Sequence, residues 1–145
     1  MHGMWLATLL LMLAPAAPAA VSITNAWSRA TPPATTVGVI YAELVADATD
    51  ELIAIEADAV AQRVEVHVSS NDGGTMKMRP LTSLALPAGQ QVRFQPGGMH
   101  VMLIGLRKPL LAGATIPVTF KFRSAASVRI EAKIIGPGER EPHSK

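Results

Sequence analysis

The sequence predicts an all-β domain, a Greek-key sandwich or barrel, and three observations carry that reading. From Ser22 onward the chain is a series of short β-prone runs separated by turn formers. No stretch holds a helical period for long, and several runs alternate apolar with polar residues, as in "VEVHVS" at 64–69. The runs, in order, are Ile23 to Arg29, Val37 to Leu44, Leu52 to Glu56, Arg63 to Ser69, Met76 to Met78, Ser83 to Leu86, Gln91 to Phe94, His100 to Leu106, Thr115 to Phe122 and Ser127 to Ile135. Thr31-Pro32-Pro33, Asn71-Asp72-Gly73-Gly74, Pro87-Ala88-Gly89 and Pro96-Gly97-Gly98 punctuate them with recognisable turn chemistry. The acidic segment "DATDELIAIEAD" at 47–58 resembles a helix in composition, but alternation across Leu52 to Glu56 and the turn formers around it make it a strand. Many short strands at this spacing imply about 110 to 120 ordered residues in one sandwich or barrel.

A chain of 145 residues is one domain long, enough to bury a real core. The opening "MHGMWLATLLLMLAPAAPAA" runs from an apolar stretch at Met4 to Leu13 into Ala17-Pro18-Ala19, the small-residue pattern that signal peptidase reads. Residues 1–19 are therefore expected to be an export signal cleaved after Ala19, residues 20–136 the folded domain, and the Pro-, Gly- and charge-rich 137–145 a disordered tail. The apolar run is far shorter than the roughly 20 residues that span a bilayer, so stable membrane insertion is not expected. The chain has no cysteine, which excludes disulfides, thiolate metal sites, thiol nucleophiles and lipid attachment to any residue given. Its basic residues are scattered and its net charge is only +2, which argues against nucleic-acid binding.

Removing the signal leaves four methionines, Met76, Met78, Met99 and Met102, and three histidines, His67, His100 and His143. Every one of those sulfurs and two of the imidazoles fall between residues 67 and 102, whereas methionine used as gap filler would be spread through all strands. Strand alternation puts Glu65, His67 and Ser69 on the face opposite Val64, Val66 and Val68. The same rule gives His100, Met102, Ile104 and Leu106 a common face, with His100 and Met102 beside the Gly97-Gly98 turn. With Asn71 to Gly74 as a four-residue hairpin loop, Ser70 pairs with Thr75 and His67 lies directly across from Met78. Opposed Cβ atoms are about 4.5 to 5.5 Å apart, within reach of one ion. His100 and Met102, at i and i+2, form a second pair, and two adjoining pairs make a four-ligand site.

Ligand chemistry selects the metal. Thioethers are soft donors that prefer Cu(I), imidazole tolerates copper and zinc, and magnesium and calcium require oxygen, so His67, Met78, His100 and Met102 point to Cu(I). Without a cysteine thiolate the site is not a blue-copper electron-transfer centre. Neutral donors leave the bound ion's charge uncompensated, so copper would pass downhill to a partner offering thiolates, as a carrier requires. Met76 shares a face with Met78 and is a reserve candidate; Met99 points away from His100 and reads as packing. Trp27 reads as a core anchor, and Lys77 and Arg79 as a solvated strand edge.

The spacing His67, ten residues, Met78, twenty-one residues, His100, one residue, Met102 resembles the copper-binding signature of the periplasmic PCu(A)C copper chaperones. "NAWSRATPP", "VEVH", "MKMRPL", "LPAG", "PGGMHVMLIGL" and "PLLAGATIPVTFKF" resemble that family's blocks in its order. The resemblance implies a cupredoxin-like Greek-key barrel with an exposed Cu(I) site. It further implies a monomeric periplasmic protein that delivers copper to cytochrome c oxidase assembly, with a Sco-like thiol protein or the oxidase copper-site subunit as partner. Two positions depart from the family pattern: Val68 follows the first histidine where an acidic residue is common, and the tail carries only His143 in place of a His- and Met-rich extension.

Two other classes use the same residues differently. A copper-dependent redox enzyme would need substrate-facing acid or base groups beside an open coordination position, and no catalytic set is legible in the sequence. A metal-free interaction module would use the methionines for packing or as sacrificial targets of oxidation.

Overall fold

The computed structural model describes residues 11–15 and 18–142. Among them are ten strands and no helix: β1 (Val21–Arg29), β2 (Val37–Ala46), β3 (Asp50–Glu56), β4 (Ala61–Asp72), β5 (Thr75–Leu81), β6 (Leu84–Leu86), β7 (Gln91–Phe94), β8 (His100–Leu106), β9 (Thr115–Phe122) and β10 (Val128–Ile135). The protein is an all-β sandwich, as its alternating pattern predicts. Every expected strand is present, and β7, β8 and β9 have the expected limits. The expected export signal falls largely outside the described residues. Among the described residues no helix is long and apolar enough to cross a membrane.

The strands form one hydrogen-bonded path, β5-β4-β8-β2-β1-β10-β9-β3-β6. All pairings along it are antiparallel except β1 with β10. One edge of β2 is shared, its first half pairing with β8 and its second half, Ala42 to Val45, with β7. The inner faces meet in a core that includes Ile40, Leu44, Val101, Leu103, Val118 and Phe120, all fully buried. Alternation is clearest in β2 and β9, where every second residue is buried. Core side chains of this size each contribute about 1.5 to 3 kcal/mol of hydrophobic free energy, which fixes the register of the strands that carry them.

The β4–β5 hairpin departs from the sequence reading in a way that reaches the site. Its loop is two residues, Gly73 and Gly74, with φ of 63° and 89°, so Asp72 pairs with Thr75. Successive residues in the left-handed region are what a tight hairpin turn of this hand demands, and glycine adopts it without strain. The side-chain oxygen of Asn71 accepts the Gly74 N–H at 3.0 Å, reinforcing the turn. Every pair is therefore displaced by two residues from the four-residue-loop register: His67 opposes Pro80, and Met78 opposes Ser69. A displacement of two keeps each side chain on its face.

Trp27 is buried, as expected of an anchor, but it lies outside the main core cluster. It packs on the outer face against Tyr41, with ring centroids 4.7 Å apart. The tail expected to be disordered from 137 is described as far as Pro142. Gly136 N–H donates to the Glu139 carboxylate at 3.0 Å, and Arg29 pairs with Glu141 at 3.2 Å. Residues 143–145, His143 among them, lie outside the described residues.

Candidate metal centre

The site is built on two neighbouring interior strands. The β7–β8 turn is closed by Gly98 N–H to the Gln95 carbonyl and Gln95 N–H to the Met99 carbonyl, at 3.0 and 2.9 Å. Gly97 takes φ of 80° within it, which frees the chain to reverse before His100. β8 then runs between β4 and β2, so a side chain on its outer face is flanked on both sides.

Across β4 and β8, His67 directly opposes His100 and Glu65 directly opposes Met102. Opposed residues share a face, which makes Glu65, His67, His100 and Met102 a two-by-two patch on the outside of the sandwich. The strands that carry His67 and His100 do adjoin, β4 pairing with β8. The direct partner of His67 is His100, in place of the expected Met78. Met78 lies one row further along β4, diagonal to His67 across the hairpin.

The imidazole rings lie 5.8 Å apart between centroids, tilted by 49°. The His67 side chain is 16% exposed and His100 is 8% exposed, so both are nearly withdrawn from solvent. Each ring has one nitrogen hydrogen-bonded. His100 Nδ1 contacts the Gly98 carbonyl at 3.0 Å, and His67 Nε2 contacts Glu65 Oε2 at 2.8 Å. The other two nitrogens, His67 Nδ1 and His100 Nε2, are the only buried side-chain nitrogen or oxygen atoms without a hydrogen-bond partner among the described residues. A buried acceptor left unpaired costs about 1 to 3 kcal/mol, so two on facing rings call for a ligand.

Glu65 is itself held from the far side, its Oε1 accepting from Arg63 Nε at 3.0 Å. The His67 N–H, and after it Arg63, hold the Glu65 carboxyl below the usual carboxylate range. Val68 follows His67 where the family pattern commonly has an acidic residue; Glu65, two residues before His67, brings a carboxylate to the ring instead. The signal was present in the alternation that puts Glu65 and His67 on one face.

Sulfur surrounds this pair unevenly. Met102 is half-buried on β8, with Val39 of β2 opposite it. Met78 is 52% exposed and Met76, opposite Asn71, is 64% exposed, both on the sheet-edge strand β5. Met99 packs against the core, as its parity predicts. No group of three or more His, Asp or Glu among the described residues is placed to hold an ion. Beside the Glu65 carboxylate, which is engaged by His67 and Arg63, the donors in register with the two imidazoles are the Met102 thioether on the same face and the Met78 thioether one row away, and thioethers are soft.

The family model described as "Putative lipoprotein LpqE-like" matches residues 21–134, from the first strand almost to the end of the last. The chain belongs to the LpqE-like family. A relative from Leifsonia xyli subsp. xyli, "Putative lipoprotein Lxx21020", is 29% identical over 108 residues, 74% of this chain and 64% of that protein. The chain thus spans somewhat less than two thirds of that relative's length. Among solved structures, this LpqE-like chain is similar to the copper-bound PCuAC domain from PmoF2, with TM-score 0.69 and 27% identity over 84% of this chain and 97% of that one. It is also similar to the apo PCuAC domain of PmoF2, with TM-score 0.70 and 26% identity, covering 87% and 98% of the two chains. CuI-DR1885 from Deinococcus radiodurans gives TM-score 0.59 and 25% identity, covering 83% and 78%.

Proposed function

We propose that this protein is an exported copper chaperone, not an enzyme, that binds Cu(I) through His67, Met78, His100 and Met102 within the domain at residues 20–136. The observation that carries the reading is the pair of buried imidazole nitrogens without a partner on two histidines opposed in register. Copper-bound structures among the similar PCuAC domains support the choice of ion. The lipoprotein descriptions of the family and of the Leifsonia relative support export to the cell envelope, and the expected signal at 1–19 supports the periplasm.

Copper is cargo in this scheme. Two imidazoles already oriented by the fold receive it, and thioethers complete a soft, neutral donor set that suits Cu(I) and disfavours hard divalent ions. No donor of that set is a thiolate, so an acceptor presenting two cysteines draws the ion forward. A Sco-like thiol protein or the copper-site subunit of cytochrome c oxidase has that chemistry. The test is competition for Cu(I) against a chromogenic chelator, with wild type beside the double variant Met78→Leu and Met102→Leu. The variant should fold normally and lose tight binding; undiminished affinity would overturn the assignment.

A further inference from the structure

The hydrogen bonds of the two imidazoles determine more than their position. A carbonyl oxygen only accepts, so His100 Nδ1, 3.0 Å from the Gly98 carbonyl, must carry the proton of that bond. A carboxylate likewise only accepts, so His67 Nε2, 2.8 Å from Glu65 Oε2, must carry a proton too. In the neutral rings the lone pairs are left on His67 Nδ1 and His100 Nε2, the two buried atoms without partners. The two rings thus keep different nitrogens unprotonated and unpartnered, Nδ1 on His67 and Nε2 on His100. One is set by the main chain of the turn, the other by a side chain.

We infer that Glu65 is a positioning residue for the copper site: it holds His67 in the Nε2–H tautomer, so that His67 ligates through Nδ1 while His100 ligates through Nε2. The inference rests on the copper reading above. Arg63 makes the arrangement directional, because it engages Oε1 and leaves Oε2 for the ring. Glu65 stands directly across from Met102, beside the two rings, so its charge lies close to the bound ion. A carboxylate behind a ligating imidazole makes the ring a stronger donor, and loss of such a partner costs about 10- to 100-fold in metal affinity. The negative charge also favours Cu(II) relative to Cu(I). Glu65 therefore moderates the softness of the methionine-containing set.

The test combines copper-free and copper-loaded protein, using wild type, Glu65→Gln and Glu65→Leu. In the copper-free wild type, long-range proton–nitrogen NMR should show His67 as a single Nε2–H tautomer and His100 as a single Nδ1–H tautomer. Glu65→Leu should give His67 averaged nitrogen shifts with His100 unchanged, and weaken Cu(I) by about 10- to 100-fold. The Gln side-chain oxygen still accepts from Nε2–H, so Glu65→Gln should keep the tautomer and lose less affinity. It should nevertheless raise the Cu(II)/Cu(I) potential, a change that a purely structural role would not produce. His67 shifts unaltered in Glu65→Leu, together with affinity within about twofold of wild type, would overturn the role of Glu65. A wild-type protein that fails to hold Cu(I) against the chelator would overturn the copper reading itself, whatever the tautomers show.

Discussion

The imidazole half of the proposed site and its sulfur half are built to different standards. His67 and His100 are opposed in register on two interior strands, largely withdrawn from solvent, each with one nitrogen tethered. Met78, in contrast, projects from an edge strand whose residues Thr75 to Arg79 are all exposed, beyond a two-glycine turn. Met102 is intermediate: it has the rigid strand of the histidines and the chemistry of Met78. Preorganisation is thus concentrated in the nitrogens; in the proposed site, copper would meet a fixed pair of rings and the sulfur of the edge strand would order around it.

The largest effect should come from the enclosed half. His100→Leu removes a proposed ligand and an unpartnered buried nitrogen at once. If about 12 kcal/mol of metal affinity is shared among four ligands, each is worth about 3 kcal/mol, or on the order of 10²-fold in Cu(I) affinity. Stability of the copper-free protein should fall by no more than about 0.5 to 1.5 kcal/mol, the worth of the lost Nδ1–H bond to the Gly98 carbonyl, because the apolar group also removes an acceptor that the fold leaves unpaired. Chelator competition and urea denaturation read the two quantities separately. A large loss of stability without loss of copper would mean that His100 is a structural histidine.

The two methionines should then differ. Ordering a free methionine side chain costs up to about 1.5 to 2 kcal/mol, which Met78 must meet on binding and the half-buried Met102 largely does not. Met102→Leu should thus weaken Cu(I) by roughly tenfold more than Met78→Leu, since 1.4 kcal/mol is tenfold. Equal losses would place Met78 in a fixed position before copper arrives. A smaller effect separates Met78 from its neighbour: under mild peroxide the exposed Met76 and Met78 should convert to sulfoxide before Met102, and Cu(I) should protect Met78 but not Met76. Peptide mass spectrometry checks this, and protection of Met76 would make it a ligand.

The smallest expected effect lies far from the site and calibrates the rest. Asp50 accepts the N–H groups of Glu51, Ser124 and Ala125, tying β3 to the β9–β10 turn, and those bonds, the Glu51 N–H foremost, hold its carboxyl below the usual range. Glu51 is likewise held low, chiefly by Arg123. A carboxyl depressed in the folded state stabilises it above the unfolded-chain value and loses that contribution as pH falls through the folded value. The melting temperature should therefore decline below about pH 4, the unfolded range for such groups, and Asp50→Asn should flatten the decline. An unchanged profile in Asp50→Asn would assign the acid sensitivity elsewhere.

The fold was legible in the sequence because alternation and turn chemistry are local. β7, β8 and β9 could be delimited to the residue, and the parity of His67, His100 and Met102 followed from period two alone. What was not legible depends on a choice between equally plausible turns. "SNDGGT" closes a hairpin with either four or two loop residues, and only the paired structure shows Gly73 and Gly74 making the turn alone. That choice moved Met78 off His67 while leaving its face intact. The contact between His67 and His100 was beyond sequence reasoning for another reason. It arises from pairing of strands far apart in the chain, which the hydrophobic pattern permits but does not specify.

Two fixed imidazoles and two thioethers are proposed to hold Cu(I) together, and X-ray absorption on the copper-loaded protein reads that donor set. The expected result is a Cu(I) edge with mixed nitrogen and sulfur scattering, the sulfur component falling in Met102→Leu and in Met78→Leu. A shell of nitrogen and oxygen alone, unchanged by either substitution, would contradict it.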